Sequence, residues 1–92
     1  HADIRYPVNY GYIKGLTAGD GEAQDAYILG VSAPLCAFTG RRVAVIHRRD
    51  DEEDKWVVAP DGMLFTEKEI RNQTAFQERY YDTWIERKIH MD

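Results

Sequence analysis

Residues 41–59 read RRVAVIHRRDDEEDKWVVA. The first eight alternate and carry β-branched side chains, and KWVVA at 55–59 does the same, so each predicts a strand. The six residues between them, RDDEED, are too charged to bury and predict a hairpin tip. Working outward, DAYILGV at 25–31 predicts a further strand. RYPVNYGYI at 5–13 is tyrosine-rich and extended in character. Asp20-Gly21, sharpened by Gly19, is the turn between these two segments. Residues 32–40 form a loop with Pro34 and Gly40, and Pro60-Asp61-Gly62 turns the chain again. Beyond it, Thr66 and Glu69 have the spacing of a capping box. Ile70, Phe76, Tyr80, Tyr81, Trp84 and Ile85 follow mostly at three- and four-residue steps, which predicts one long helix with an apolar side. Strands first and a helix last give a mainly β, α+β chain: a small antiparallel sheet or partial barrel with one long helix packed across it. Four short strands leave an edge open, as though a barrel strand were missing.

The 92 residues suit a single domain over 1–92. A chain this size buries only roughly 60–65% of its unfolded surface, so its core is thin. Hydrophobic residues at 43% and charged residues at 30% describe an ordinary soluble globule. The formal charge of −4 argues against a nucleic-acid partner. No apolar run approaches the ~18 residues that would cross a membrane. The single Cys36 closes no intramolecular disulfide and founds no zinc knuckle. With no secretory leader in view, a reducing cytoplasmic location is the expectation. The chain opens on His1 rather than Met, which fits a processed chain or a piece of a longer one.

Two acidic groups carry the candidate chemistry. Asp20, Glu22 and Asp25 fall within six residues around a glycine turn and the mouth of a strand. Asp50, Asp51, Glu52, Glu53 and Asp54 run consecutively into Lys55. Adjacent carboxylates repel one another unless cations are present, and their oxygens are the hard ligands that Mg²⁺ prefers. Either group is also an ordinary solvated acidic turn. Together on one sheet they would form a cation site. Tyr6, Tyr10 and Tyr12 share one parity, so on an unbroken strand they face one side, to donate to phosphate oxygens or to pack the sheet. Lys14, Arg41, Arg42, Arg48, Arg49 and Lys55 are the cations available to an anionic substrate. The chain has no P-loop, GxGxxG, HExxH or G-x-S-x-G motif.

YPVNYGYI at 6–13, followed by DGEAQD at 20–25, resembles the family I soluble inorganic pyrophosphatases, whose pattern is a YPxNYGYI-type strand, a short loop and then D-G-D-x-x-D. Asp50-Asp51, Glu53, Lys55 and VVAP at 57–60 resemble that family's acidic loop and lysine-bearing strand. Phe76-Gln77-Glu78-Arg79-Tyr80 resembles the segment with its phosphate-binding tyrosine. The resemblance runs from Arg5 to about Tyr81 and is closest to a short bacterial branch. It implies a five-stranded, OB-like barrel with packed helices, and hydrolysis of pyrophosphate with several Mg²⁺ ions. Carried over, Asp20, Asp25, Asp50 and Glu53 would be metal ligands, with Asp25 bridging two metals. Tyr10, Lys55 and Tyr80 would contact phosphate or the nucleophile, and Tyr6 would line the site. Glu22 stands where the family has a water-activating aspartate, and Tyr81 stands where larger relatives carry a lysine. The family's upstream strands, with a lysine, a glutamate and an arginine, have no counterpart before YPVNYGYI, so Arg48 or its arginine neighbours would replace those phosphate contacts.

The expected function is therefore Mg²⁺-dependent hydrolysis of inorganic pyrophosphate by a homo-oligomer, with both acidic groups facing one cavity. Metal ions would neutralise the substrate and supply hydroxide near neutral pH. The alternatives are a non-catalytic relative that binds metal, phosphate or protein, and a phosphohydrolase acting on another pyrophosphate-containing metabolite.

Overall fold

The computed structural model describes residues 7–51 and 53–87. Its elements are β1 (Asn9–Thr17), β2 (Ala23–Ile28), β3 (Arg41–Arg48), β4 (Lys55–Ala59), α1 (Glu67–Glu78) and β5 (Thr83–Arg87). The strands form one five-stranded sheet in the order β1-β2-β4-β3-β5.

The hairpin expected from residues 41–59 is present. β3 and β4 pair antiparallel with Val45 opposite Trp56 and Ile46 opposite Lys55, and a bulge lies between Arg42 and Ala44. β1 and β2 pair antiparallel, Tyr10 opposite Tyr27 and Tyr12 opposite Asp25. Gly21, at a φ of 87°, supplies the left-handed position in the turn joining them. β2 and β4 run parallel, with Ala26 opposite Trp56 and Val57 opposite Tyr27. The chain reaches that pairing by passing through residues 29–40 and laying β3 on the outer side of β4.

The parallel β2–β4 pair departs from the antiparallel sheet expected, and two further expectations are corrected. The helix ends at Glu78 instead of running to Ile85, and the segment after it is a fifth strand paired antiparallel to β3. Its sequence, TWIER, is β-branched and aromatic at the start and alternates half-buried with exposed before ending on two exposed residues. The His47 ring stacks on Trp84 with centroids 4.1 Å apart, and its nitrogens lie 3.0 Å from Asp54 and Glu86. Those contacts fasten β5 to β3 and to the acidic loop. Barrel closure is the second correction. β1 and β5 lie at opposite ends of the sheet order, with no ladder joining them among the described residues, so the sheet is open.

The capping box is present: Thr66 Oγ1 accepts from the Glu69 amide and Glu69 accepts from the Thr66 amide. Ile70, Thr74 and Glu78 are the buried residues of α1, at four-residue steps along one face. The core joins Ile70 to Tyr27, Leu29, Ala44, Ile46 and Val57, with Phe76 and Ile85 packed at its margin. Ile13, Ile28 and Val58, under Leu35, Cys36 and Phe38 of the 29–40 segment, line a groove of about 480 Å³. No described helix is long and apolar enough to cross a membrane.

Candidate functional site

Residues 25 and 27 of β2 share one face of the sheet because side chains alternate along a strand. Tyr10 lies opposite Tyr27 and its ring meets that ring edge-on, centroids 4.9 Å apart. Its hydroxyl therefore reaches diagonally to Asp25 and donates to Oδ2 at 3.0 Å. The parallel register sets Lys55 beside Asp25, and Lys55 Nζ donates to the same Oδ2 at 2.8 Å. Glu53, two residues before Lys55 in the acidic loop, places Oε1 3.0 Å from that ammonium. Gln24 steadies the loop by donating from Nε2 to the Asp54 carbonyl at 2.7 Å.

Lys55 is only 3% exposed. Burial alone would lower its pKa, but the hydrogen bonds with Asp25, Tyr10 and Glu53 outweigh it and hold the ammonium well above the ordinary lysine range. Burial likewise pushes Asp25 up, and its bonds to Lys55 and Tyr10 overcome that and hold the carboxyl below its usual value. Burial, aided by the neighbouring Asp25, raises the Tyr10 hydroxyl. The cluster is thus a fixed arrangement of carboxylate, ammonium and neutral phenol.

A second, deeper cluster adjoins it. Arg48 Nε and Nη2 donate to the two oxygens of Glu78 at 3.0 and 2.8 Å. The Tyr27 hydroxyl donates to Glu78 Oε2 at 2.6 Å and accepts from Gln77 Nε2 at 2.7 Å. Burial lowers the proton affinity of Arg48, but its bonds to Glu78 more than reverse that. Burial and then Glu78 raise the Tyr27 hydroxyl far above its ordinary range. The Tyr81 ring covers the guanidinium at 3.6 Å from its centroid. A lysine at 81 would bring a like charge to Arg48, whereas the tyrosine ring offers its electron-rich face.

Of the residues singled out in the sequence, the structure brings together Tyr10, Asp25, Glu53 and Lys55. Arg48 lies behind Glu53, turned inward and occupied by Glu78, so its fork is not presented to a substrate. Asp20 is exposed and accepts from the Glu22 amide at 3.0 Å, closing the turn, and Glu22 is exposed beside it. Asp50 is exposed at the tip of the acidic loop. Tyr80 is 72% exposed, and its hydroxyl accepts from Arg79. Tyr6 lies outside the described residues, as does Glu52. Sequence reasoning missed Glu78, Tyr27 and Gln77 as a network. The available signal was a glutamate at the four-residue spacing of Ile70 and Thr74, on the face of α1 that packs inward.

Asp25 and Glu53 offer the oxygen donors that Mg²⁺ prefers. Both are turned on one ammonium, however, and among the described residues no three His, Cys, Asp or Glu side chains gather as a metal site. The arrangement as it stands does not fit a resident Mg²⁺.

No family model matches the sequence, and no solved structure matches it. Over 68 residues, 70% of this chain, it is 29% identical to an inorganic pyrophosphatase of Mesorhizobium japonicum. The chain spans 38% of the length of that curated relative, so what it is similar to is a part of a pyrophosphatase.

Proposed function

We propose that the chain carries a pyrophosphate-hydrolysing site centred on Tyr10, Asp25 and Lys55, acting on the anion together with Mg²⁺. One observation carries the reading. Three positions that match a pyrophosphatase-like pattern, on three different strands, converge on a single oxygen, Asp25 Oδ2. The distant likeness to an inorganic pyrophosphatase supports the same substrate class.

The electrostatics favour a cation-complexed substrate. Lys55 and Arg48 face Asp25, Asp51, Glu53 and Glu78, so the carboxylates outnumber the cations and a bare polyanion is repelled. An anion that arrives with divalent cations escapes that repulsion. In this reading Asp25, the partly exposed edge of the cluster, holds Lys55 and Tyr10 ready, and the entering anion draws both donors from Asp25 Oδ2 onto its phosphate oxygens. Positioning of this kind is most of what phosphoryl transfer asks of a protein. Glu22 is the residue proposed to activate water, and Asp20, Asp50 and Tyr80 are proposed to join from the periphery; Tyr6, outside the described residues, keeps the substrate role that the resemblance implies.

A non-catalytic module that binds phosphate is the second reading. The exposed positions of Asp20, Glu22 and Asp50 favour it. Phosphate release from pyrophosphate with and without Mg²⁺, beside calorimetric titration of pyrophosphate, separates the two. The proposal expects Mg²⁺-dependent release that Asp25→Asn abolishes. Binding without release supports the module, and neither binding nor release overturns both.

A further inference from the structure

We propose that Glu78, on the last turn of α1, is a positioning residue for Lys55, acting through Arg48 and Glu53. The inference rests on the reading that Lys55 serves the anion. The guanidinium is planar, so fixing two of its nitrogens aims the third. Glu78 fixes Nε and Nη2 at 3.0 and 2.8 Å. Nη1 is thereby aimed at the acidic loop, 3.4 Å from Asp51 Oδ2 and 3.7 Å from Glu53 Oε1. The same Glu53 oxygen lies 3.0 Å from Lys55 Nζ. The relay thus crosses from the helix to the end of β3, through the acidic loop, to the start of β4.

Burial shows what this pair is for. The side chains of Arg48 and Glu78 are 4% and 5% exposed. A buried ion pair is no more stabilising, as a rule, than two well-packed apolar side chains. An apolar pair cannot supply a third N–H aimed at a neighbouring loop. Tyr27, itself held by Gln77, donates to Glu78 Oε2 and fixes the acceptor, and the Tyr81 ring covers the guanidinium, so the pair is held from both ends. Where Glu53 sits decides how fully the Lys55 ammonium is neutralised. A helix that contributes no residue to the Tyr10–Asp25–Lys55 cluster thereby sets the anion affinity of that cluster.

The test is pulse acetylation of the folded chain with acetic anhydride, read by mass spectrometry at Lys55, with exposed Lys14 and Lys68 as internal references. Arg48→Lys keeps the charge but cannot hold the fork and aim a third donor. It is expected to raise Lys55 labelling roughly 3–10-fold over the references, because a Glu53 no longer held by the guanidinium uncovers the amine and opens it locally to the reagent. Glu53→Gln is expected to do the same. Arg48→Lys with Glu53→Gln is expected to do no more than either alone, as members of one path behave. In turnover assays with Mg²⁺, Arg48→Lys is expected to lower KM for pyrophosphate while kcat holds within about twofold. Glu78→Asp, which keeps the pair and draws it back by one methylene, serves the same labelling test should Arg48→Lys not fold. Lys55 labelling that moves only with Lys14 and Lys68, or that adds in the double variant, overturns the relay. Because labelling needs no pyrophosphate, it decides the relay even if the chain shows no turnover. Unchanged labelling beside intact turnover sinks the relay and leaves the proposed function standing.

Discussion

Asp25 Oδ2 receives two hydrogen bonds from residues 15 and 30 positions away, so losing this carboxylate disturbs two strands at once. Asp25→Asn is expected to lower pyrophosphate turnover by about 10²-fold or more, since Lys55 and Tyr10 lose their common anchor. Its stability cost by urea denaturation should be about 1–2 kcal/mol, below the range for a fully buried pair because the Asp25 side chain is 30% exposed. The pH dependence follows from the direction of each shift. Asp25, held low, stabilises the fold above the ordinary carboxylate pKa of about 3.9, and that contribution is lost as pH falls through its depressed value. Lys55, held high, contributes fully below about pH 10.4, and its share is lost as pH climbs through its raised value. Urea midpoints should therefore be insensitive to this cluster between roughly pH 5 and 10, and Asp25→Asn should remove its share of the acid limb. Glu22→Asp is expected to raise turnover by restoring the shorter reach of the pyrophosphatase-like pattern, and unchanged turnover would remove this position from the reaction. Lys55, Asp25 and Tyr10 were legible as candidates because carboxylate, lysine and tyrosine stood at recognisable spacings. Arg48 was legible as a cation, but its burial was not, because its partner Glu78 lies 30 residues further on.

At the scale of elements, the best-read feature is the start of α1. Thr66→Ala should cost about 1 kcal/mol, the usual loss for a cap, measured as a shift in thermal or urea midpoint. The end of the helix was misread for a definite reason. Tyr80, Tyr81, Trp84 and Ile85 sit at steps that continue the spacing of Ile70 and Phe76, so the helical period runs past the true stop. What overrides it is a partner: β3 has an unpaired side once β4 is in place, and residues 83–87 fill it. The parallel β2–β4 pairing was equally out of reach, because local alternation says that a strand exists and nothing about its neighbour.

For the molecule as a whole, strands, one helix and the hairpin at 41–59 were readable, and closure was not. Among the described residues β1 and β5 end the sheet on opposite sides with unpaired outer edges, and such edges invite association. Self-association is therefore expected, and sedimentation velocity should give a mass above the 10.7 kDa of one chain. A monomer at all concentrations would overturn this.

The parallel pairing of β2 with β4 also bears on how the molecule assembles in time. The β3–β4 hairpin joins near neighbours and can form early, on the microsecond scale usual for hairpins. The Asp25–Lys55 bond spans 30 residues and must wait for a large loop to close. Such non-local closures are what slow a small domain's folding. The step that joins the β1–β2 hairpin to the β3–β4 hairpin is thus the step that creates the chain's candidate chemistry. A refolding chain should acquire its protected Lys55 late, together with the β2–β4 amides.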